Sequence, residues 1–268
     1  MTEHWPDDRP LAICVNVMLE GWADPDAPGI GPMGNPLRAG VRDLQAQSWA
    51  EYGAKVGGWR LLDMLDREAV KSVFYTSGVV VDRYPALAKA IADRGHHVAA
   101  HAWSQGTLPA YLSAEDEEAD IVRCTQAILT ATGHHPLGWL SPRCTPSDRT
   151  SALLVKHGYA WHADTFDSDV PYTMPGHPSL IAMPFTMEVN DMPLYVRYGN
   201  EPDAFVRTLA KIVEGWPRLG APKACLDITV HAHVFGRPYG LLAFLDALTL
   251  VKNSPHCWLA NHRVLSAL

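Results

Sequence analysis

The sequence predicts an α/β fold in which a mostly parallel sheet of about seven strands closes toward a barrel. Three observations predict it. Short apolar runs alternate with segments of helical period from residue 11 to residue 260. The links between them are short, as in repeated strand–helix units. Polar residues stand directly past the apolar runs, His101 and His231 most clearly, and side chains at the carboxyl ends of barrel strands converge on one mouth. With 268 residues and 47% apolar content, a single domain over 1–268 is expected.

Residues 11–17 (LAICVNV) read as a buried strand, and the Pro/Gly-rich stretch 21–48 reads as a loop that walls the site. Val56, Trp59, Leu62 and Leu65 recur at helical spacing and predict one helix over 52–66, followed by a strand at 72–76. Helical period returns over 84–94, Gly95 stops it, and 97–102 is strand-like. Ser113 with Asp116 resembles a capping box that opens a helix ending at Gly133. Strands are then expected at 137–140, 159–163, 180–185, 194–198, 224–230 and 257–260, with helices at 151–157, 203–214 and 241–251.

A formal charge of −7 without a basic stripe argues against nucleic acid and anionic membranes as partners. The acidic, proline-bearing start lacks the regions of a secretory signal, and no apolar run approaches the ~18 residues of a membrane span. Five cysteines, odd in number and without a Cys-x-x-Cys pair, fit reduced thiols. The expectation is a cytoplasmic enzyme acting on a small molecule.

Past the strand ends lie Asn16 and Glu20, then His101 with Trp103 and Gln105, then Arg143, Asp164 and His231. Histidine titrates nearest neutrality, so His101 and His231 lead as acid–base groups. His96 reads as a turn residue, and Cys144 as a bystander thiol because no basic partner is evident beside it.

The same residues carry a resemblance. Gly95-His-His-Val-Ala-Ala-His101-Ala-Trp-Ser-Gln, Gly138-Trp-Leu-Ser-Pro-Arg, Asp164 and Val230-His-Ala-His-Val-Phe-Gly-Arg-Pro, taken in order, resemble the polysaccharide deacetylase superfamily. The likeness is strongest to its intracellular branch of allantoinases, cyclic imidases and peptidoglycan deacetylase-like proteins, with Trp49-Ala-Glu-Tyr-Gly and Asn190-Asp-Met as further shared features. The resemblance implies a deformed (β/α) barrel with fewer than eight strands and a homo-oligomer.

It also implies a metal site, from which this chain departs. Metal-dependent members end their first strand on two aspartates and add two histidines four residues apart; here stand Asn16-Val17-Met18, His101 and Gln105. A carboxamide and a thioether are poor donors for a site that prefers oxygen anions, so no tightly bound metal is expected. The alternative is zinc at a rebuilt Glu20, His101, Gln105 site.

The expected reaction is hydrolysis of a C–N bond in a small amide, ureide or cyclic imide. Glu20 or His101 would activate water, Arg143 would help to hold the oxyanion, His231 would protonate the leaving nitrogen, and Asp164 would orient one of them. Asn16, Trp103, Gln105 and Asn190 are cast as substrate contacts. Two rivals stand beside this reading: a metal-dependent deacetylase of N-acetylated sugars or peptidoglycan fragments, and a binding protein that has lost turnover.

Overall fold

The computed structural model describes residues 4–34, 37–38, 40–220 and 223–268. Parts of the expected 21–48 loop and of the acidic start fall outside these residues. The elements run β1 (Leu11–Leu19), α1 (Leu44–Tyr52), α2 (Gly58–Arg67), β2 (Val73–Thr76), α3 (Gly78–Arg83), α4 (Pro85–Asp93), β3 (His97–Ala100), α5 (Ala114–Thr132) and β4 (Gly138–Trp139). They continue with α6 (Thr150–Lys156), β5 (Trp161–His162), β6 (Tyr172–Thr173), β7 (Ile181–Ala182), α7 (Asp203–Gly215), β8 (Ala224–His231), α8 (Pro238–Asn253), β9 (Cys257–Ala260) and α9 (His262–Leu265).

One sheet holds these strands in the order β6-β7-β5-β4-β3-β2-β1-β8, with β9 beside the first half of β1. All pairings are parallel except β6 with β7. The sheet curls without closing by strands alone. The chain after β7 spans the gap to β8, through a bridge between Asn190 and Thr229 and a bond from the Asp227 amide to Thr186 Oγ1. The expected deformed, mostly parallel barrel is present, with more and shorter strands than the seven expected.

Strand β1 is buried along its whole length, as a central parallel strand must be. Its period of two sorts the side chains. Leu11, Ile13, Val15, Val17 and Leu19 join the core beneath the helices, whereas Ala12, Cys14 and Met18 face the barrel interior. Continued one step, the inward face carries Glu20 to the mouth. α5 begins as its sequence predicts, with Ser113 Oγ accepting from the Asp116 amide, and stops at Gly133 with φ +78°.

Two expected elements differ. The single helix over 52–66 is α1, a π-helical turn at Gly53–Gly57, and α2. Contact causes the widening: a Cβ on Gly57 would lie 1.9 Å from the Ala232 carbonyl oxygen, so the helix backbone rests directly on the turn after β8. The strand expected at 194–198 is a π-helical segment, Met192–Arg197, opened by Pro193, whose fixed φ suits a helix start. Its Leu194, Tyr195 and Val196 pack on the outer core. No helix among the described residues is long and apolar enough to cross a membrane.

Candidate active site

Glu20 is the centre of the mouth. Its Oε1 lies 3.5 Å from His101 Nε2 and 3.7 Å from His231 Nε2, and its Oε2 lies 4.0 Å from His233 Nε2. The partners arrive from two different strand ends. His101 follows β3, and His231 closes β8 with His233 two residues on.

The second nitrogen of two of these rings is already committed. His101 Nδ1 is 2.6 Å from the Leu140 carbonyl oxygen, to which it donates, so in the neutral ring Nε2 is the free acceptor facing Glu20. His231 Nδ1 is 2.6 Å from Asp191 Oδ1, while Asp191 Oδ2 accepts from the amides of His231 and Phe235. Asp191 is fully buried, and this clamp fixes both the tautomer and the direction of the His231 ring.

Burial by itself would raise the Glu20 carboxyl, but the facing rings of His231, His101 and His233 reverse this and hold it at about 2. Burial pulls the His231 ring down, and the Asp191 and Glu20 carboxylates more than offset that, so His231 keeps its proton to higher pH than a free imidazole. Burial raises Asp191 despite its bonds to His231. His233, packed edge-on against Trp49 at 4.5 Å with neither ring nitrogen hydrogen-bonded, is driven by burial to about 3. It is therefore neutral near pH 7, and there the pull on Glu20 comes chiefly from His231.

These groups open into a cavity of about 770 Å³ that Glu20, His101, Gln105, Arg143, Asn190 and His231 all line. Six of the nine residues expected in the site are thus gathered there. Residues 27–30 of the long loop form part of its rim, together with Trp22. Gln105 is held by its Nε2, which donates to Ser77 Oγ and to the His101 carbonyl. Asn190 Oδ1 accepts from the Met192 amide.

The other three residues stand elsewhere. Asp164 does not line the cavity: its two oxygens take the Ser141 amide at 2.7 Å and the Ser141 hydroxyl at 2.8 Å. It thereby anchors the turn in which Arg143 and Cys144 adopt φ of +57° and +52°, a conformation that non-glycine residues hold only when their surroundings force it. Asp164 is a positioning residue for Arg143. Asn16 lies deeper in the barrel, donating to Asp227 Oδ1 at 2.8 Å, because the inward face of β1 places it one step below Met18. Trp103 faces outward under the Arg123 guanidinium, 3.4 Å from its ring centroid, and touches no part of the mouth.

Asp164→Asn is expected to cost about 2 kcal/mol of stability through loss of charged hydrogen bonds. It should also lower kcat about tenfold through the slackened turn. Urea unfolding and steady-state kinetics check both.

Sequence reasoning assigned no role to Asp191 or His233. The signals were present: an acid within the apolar run Val189-Asn-Asp-Met-Pro-Leu, and a His-x-His pair that a strand points to one side. His96 and Cys144 are as expected, the former bonded to Asp66 and the Ser72 amide, the latter a thiol that burial pushes up.

The residues do not suit the divalent ion that the resemblance implies. Asn16 and Gln105 offer only neutral amide oxygens, and Met18 offers a thioether, all weak donors for such an ion. An ion with bonds of about 2.1 Å brings its donors within ~4.2 Å of one another. Among the described residues the only three His, Cys, Asp or Glu donors within 4.8 Å of one another are Cys14, Asp227 and His262. There Asp227 Oδ1 already receives Asn16 and His262 at 2.8 Å each.

A curled, mostly parallel sheet with histidines and a buried carboxylate gathered at its carboxyl-end mouth defines a deformed barrel of the polysaccharide deacetylase fold. Residues 51–162 match the polysaccharide deacetylase family. A Schizosaccharomyces pombe protein with a provisional polysaccharide deacetylase name is 25% identical over 250 residues, which cover 84% of this chain and 76% of its own. Further curated relatives, among them peptidoglycan and chitin deacetylases, match over about half of their length or less. A Pseudomonas aeruginosa structure described as a probable polysaccharide deacetylase superposes with a TM-score of 0.90 at 23% identity, covering 100% of this chain and 93% of its own. The Puue allantoinase superposes with 0.89 at 23% identity, covering 100% and 92%. At that identity the two structures establish the shared fold.

Proposed function

We propose that this chain hydrolyses a C–N bond in a cyclic amide, ureide or imide without a tightly bound catalytic metal. The observation that carries this reading is Glu20 facing His101 and His231 in one cavity, with His231 clamped by Asp191. A water 2.8 Å from both Glu20 Oε1 and His101 Nε2 is geometrically allowed by their 3.5 Å separation. With its carboxyl at about 2, Glu20 is too weak a base to keep the proton, so it orients the water and the bare Nε2 of His101 accepts the proton. Hydroxide adds to the carbonyl carbon, and the oxyanion forms beside Arg143. The C–N bond then breaks as His231 Nε2 gives its proton to the departing nitrogen, leaving a carboxylic acid and a neutral nitrogen group; the acid returns its proton to His231, and His101 releases its own to solvent, so the product is a carboxylate. An imide or hydantoin suits this apparatus, because its carbonyl is already activated.

The polysaccharide deacetylase relatives and the allantoinase structure, both named for amide-cleaving enzymes, support the reaction class. The acidic composition supports a small-molecule substrate over nucleic acid or a membrane surface. Five free cysteines support the cytoplasm, and we read the protein there as a homo-oligomer, a state that light scattering measures.

The test is elemental analysis of the purified protein, paired with hydrolysis of allantoin, hydantoin, succinimide and N-formyl substrates before and after chelation. Ring opening that persists in chelated protein is the expected result. Activity lost on chelation and restored by zinc would overturn the metal-free mechanism. Failure to open any member of the panel would overturn the hydrolase reading.

A further inference from the structure

Two guanidinium groups stand at the lip of the cavity although the chain carries −7. Among the described residues Glu20 is the only acid lining it, with Asp191 behind His231; against these stand Arg143 and Arg197. Both guanidinium groups sit exposed at the lip, and neither makes an ion pair or side-chain hydrogen bond among the described residues. One of them has a use in the reaction already proposed, at the developing oxyanion. A second unpaired guanidinium in the same cavity calls for a fixed negative charge. Its planar fork matches a carboxylate with two parallel hydrogen bonds.

Arg197 is placed to act on the chemistry as well as on binding. It lies at the end of the π-helical segment that begins one residue after Asp191, and its charge opposes protonation of His231. An anion on Arg197 cancels that opposition, so the correct substrate favours the charged acid at the moment it is needed.

Gln105, Asn190 and Tyr198 add polar atoms to the cavity, and the remaining wall is largely apolar. Trp22, Trp49, Phe166, Phe185 and Met187 form its walls, and about 770 Å³ is the size of sites that take drug-sized ligands, far more than a bare five-membered ring fills.

Building on the proposed hydrolase reading, we infer that the substrate is a cyclic amide bearing a bulky apolar substituent and a carboxylate, with Arg197 as the residue that reads the carboxylate. The ring lies among Glu20, His101 and His231, the substituent lies on the aromatic wall, and the carboxylate reaches the lip.

A matched pair of probes tests this on the full chain: 5-(4-carboxybenzyl)hydantoin and its neutral isostere 5-(4-carbamoylbenzyl)hydantoin, titrated calorimetrically. The carboxylate probe is expected to bind about tenfold tighter, or ~1.4 kcal/mol. That preference should shrink at about 0.5 M salt, where exposed charges are screened. In Arg197→Gln the ratio of the two affinities should fall to within about twofold, and Arg197→Lys should keep part of it. Equal affinities in the wild type, a preference that survives Arg197→Gln, or no binding of either probe at millimolar concentration would each overturn the inference. If Arg197→Gln fails to fold by circular dichroism, the wild-type ratio, its salt dependence and the lysine variant decide. Turnover of the same probes separates this inference from the hydrolase reading. Preferential binding with neither ring opened leaves carboxylate recognition standing and removes the hydrolase, whereas ring opening without preference does the reverse.

Discussion

Glu20→Gln is expected to lower kcat about a thousandfold, with a much smaller change in KM. The carboxamide fills the same space but carries no charge, so three consequences coincide. The water loses its anionic anchor, His101 loses the carboxylate 3.5 Å from the nitrogen that must take the proton, and His231 loses one of the two carboxylates that hold its proton. Positioned acid–base groups contribute about 10²–10⁴ in rate, and Glu20 serves two of them. Because these residues act as a unit, the double variant Glu20→Gln/His101→Gln should be barely slower than the slower single variant. Steady-state kinetics on a hydantoin that the wild type opens would settle this, and a Glu20→Gln enzyme within threefold of wild-type kcat would remove Glu20 from the mechanism.

Asp191→Asn should be nearly as damaging, and its signature lies in the pH profile. In the wild type the alkaline limb of kcat/KM belongs to His231, whose ring must be protonated to act as the acid. Burial pulls that ring down, and Asp191 and then Glu20 overcome it, so the limb lies above the ordinary histidine value of 6.5. With Asp191 neutral the largest opposing effect is gone, and the limb moves to lower pH, with kcat/KM at neutrality falling about 100-fold. Glu20 does not set the acid limb, since it stays ionised down to about 2. The same linkage governs stability. A histidine whose folded value is raised contributes stability that is complete below about 6.5 and is lost as pH rises through the folded value, so the wild type should lose that contribution on the alkaline side and Asp191→Asn should lack it. His233 has the opposite sign. Held at about 3 when folded, it makes the unfolded chain the better proton binder between about 3 and 6.5, and acidification through that window destabilises the protein. A limb that stays in place in Asp191→Asn would show that His231 is not the acid.

Much of the scaffold was legible in the sequence because short-range physics writes it there. Continuous apolar character marks β1 as a central strand, Ser113 and Gly133 bracket α5, and polar residues directly past strand ends mark the mouth. Glu20, His101, Arg143 and His231 were readable on that ground, since a strand end fixes where a side chain emerges. Other assignments failed where a distant contact decides. The π-helical turn at Gly53–Gly57 exists because the turn after β8 presses on it, and nothing within five residues of it says so. Asn16 and Asp164 have the right chemistry, yet Asn16 lies inside β1 donating to Asp227, and Ser141 takes up both oxygens of Asp164. Asp191 gains its role only when the chain after β7 folds across to β8 and lays a carboxylate against His231. The sequence alone thus determined the barrel class, the face on which the mouth opens and the residue types offered to it, because strand period and helix caps are local. The tertiary structure decided which of those groups are free, which are tied and at what charge, because hydrogen-bond partners and burial come from residues far apart along the chain.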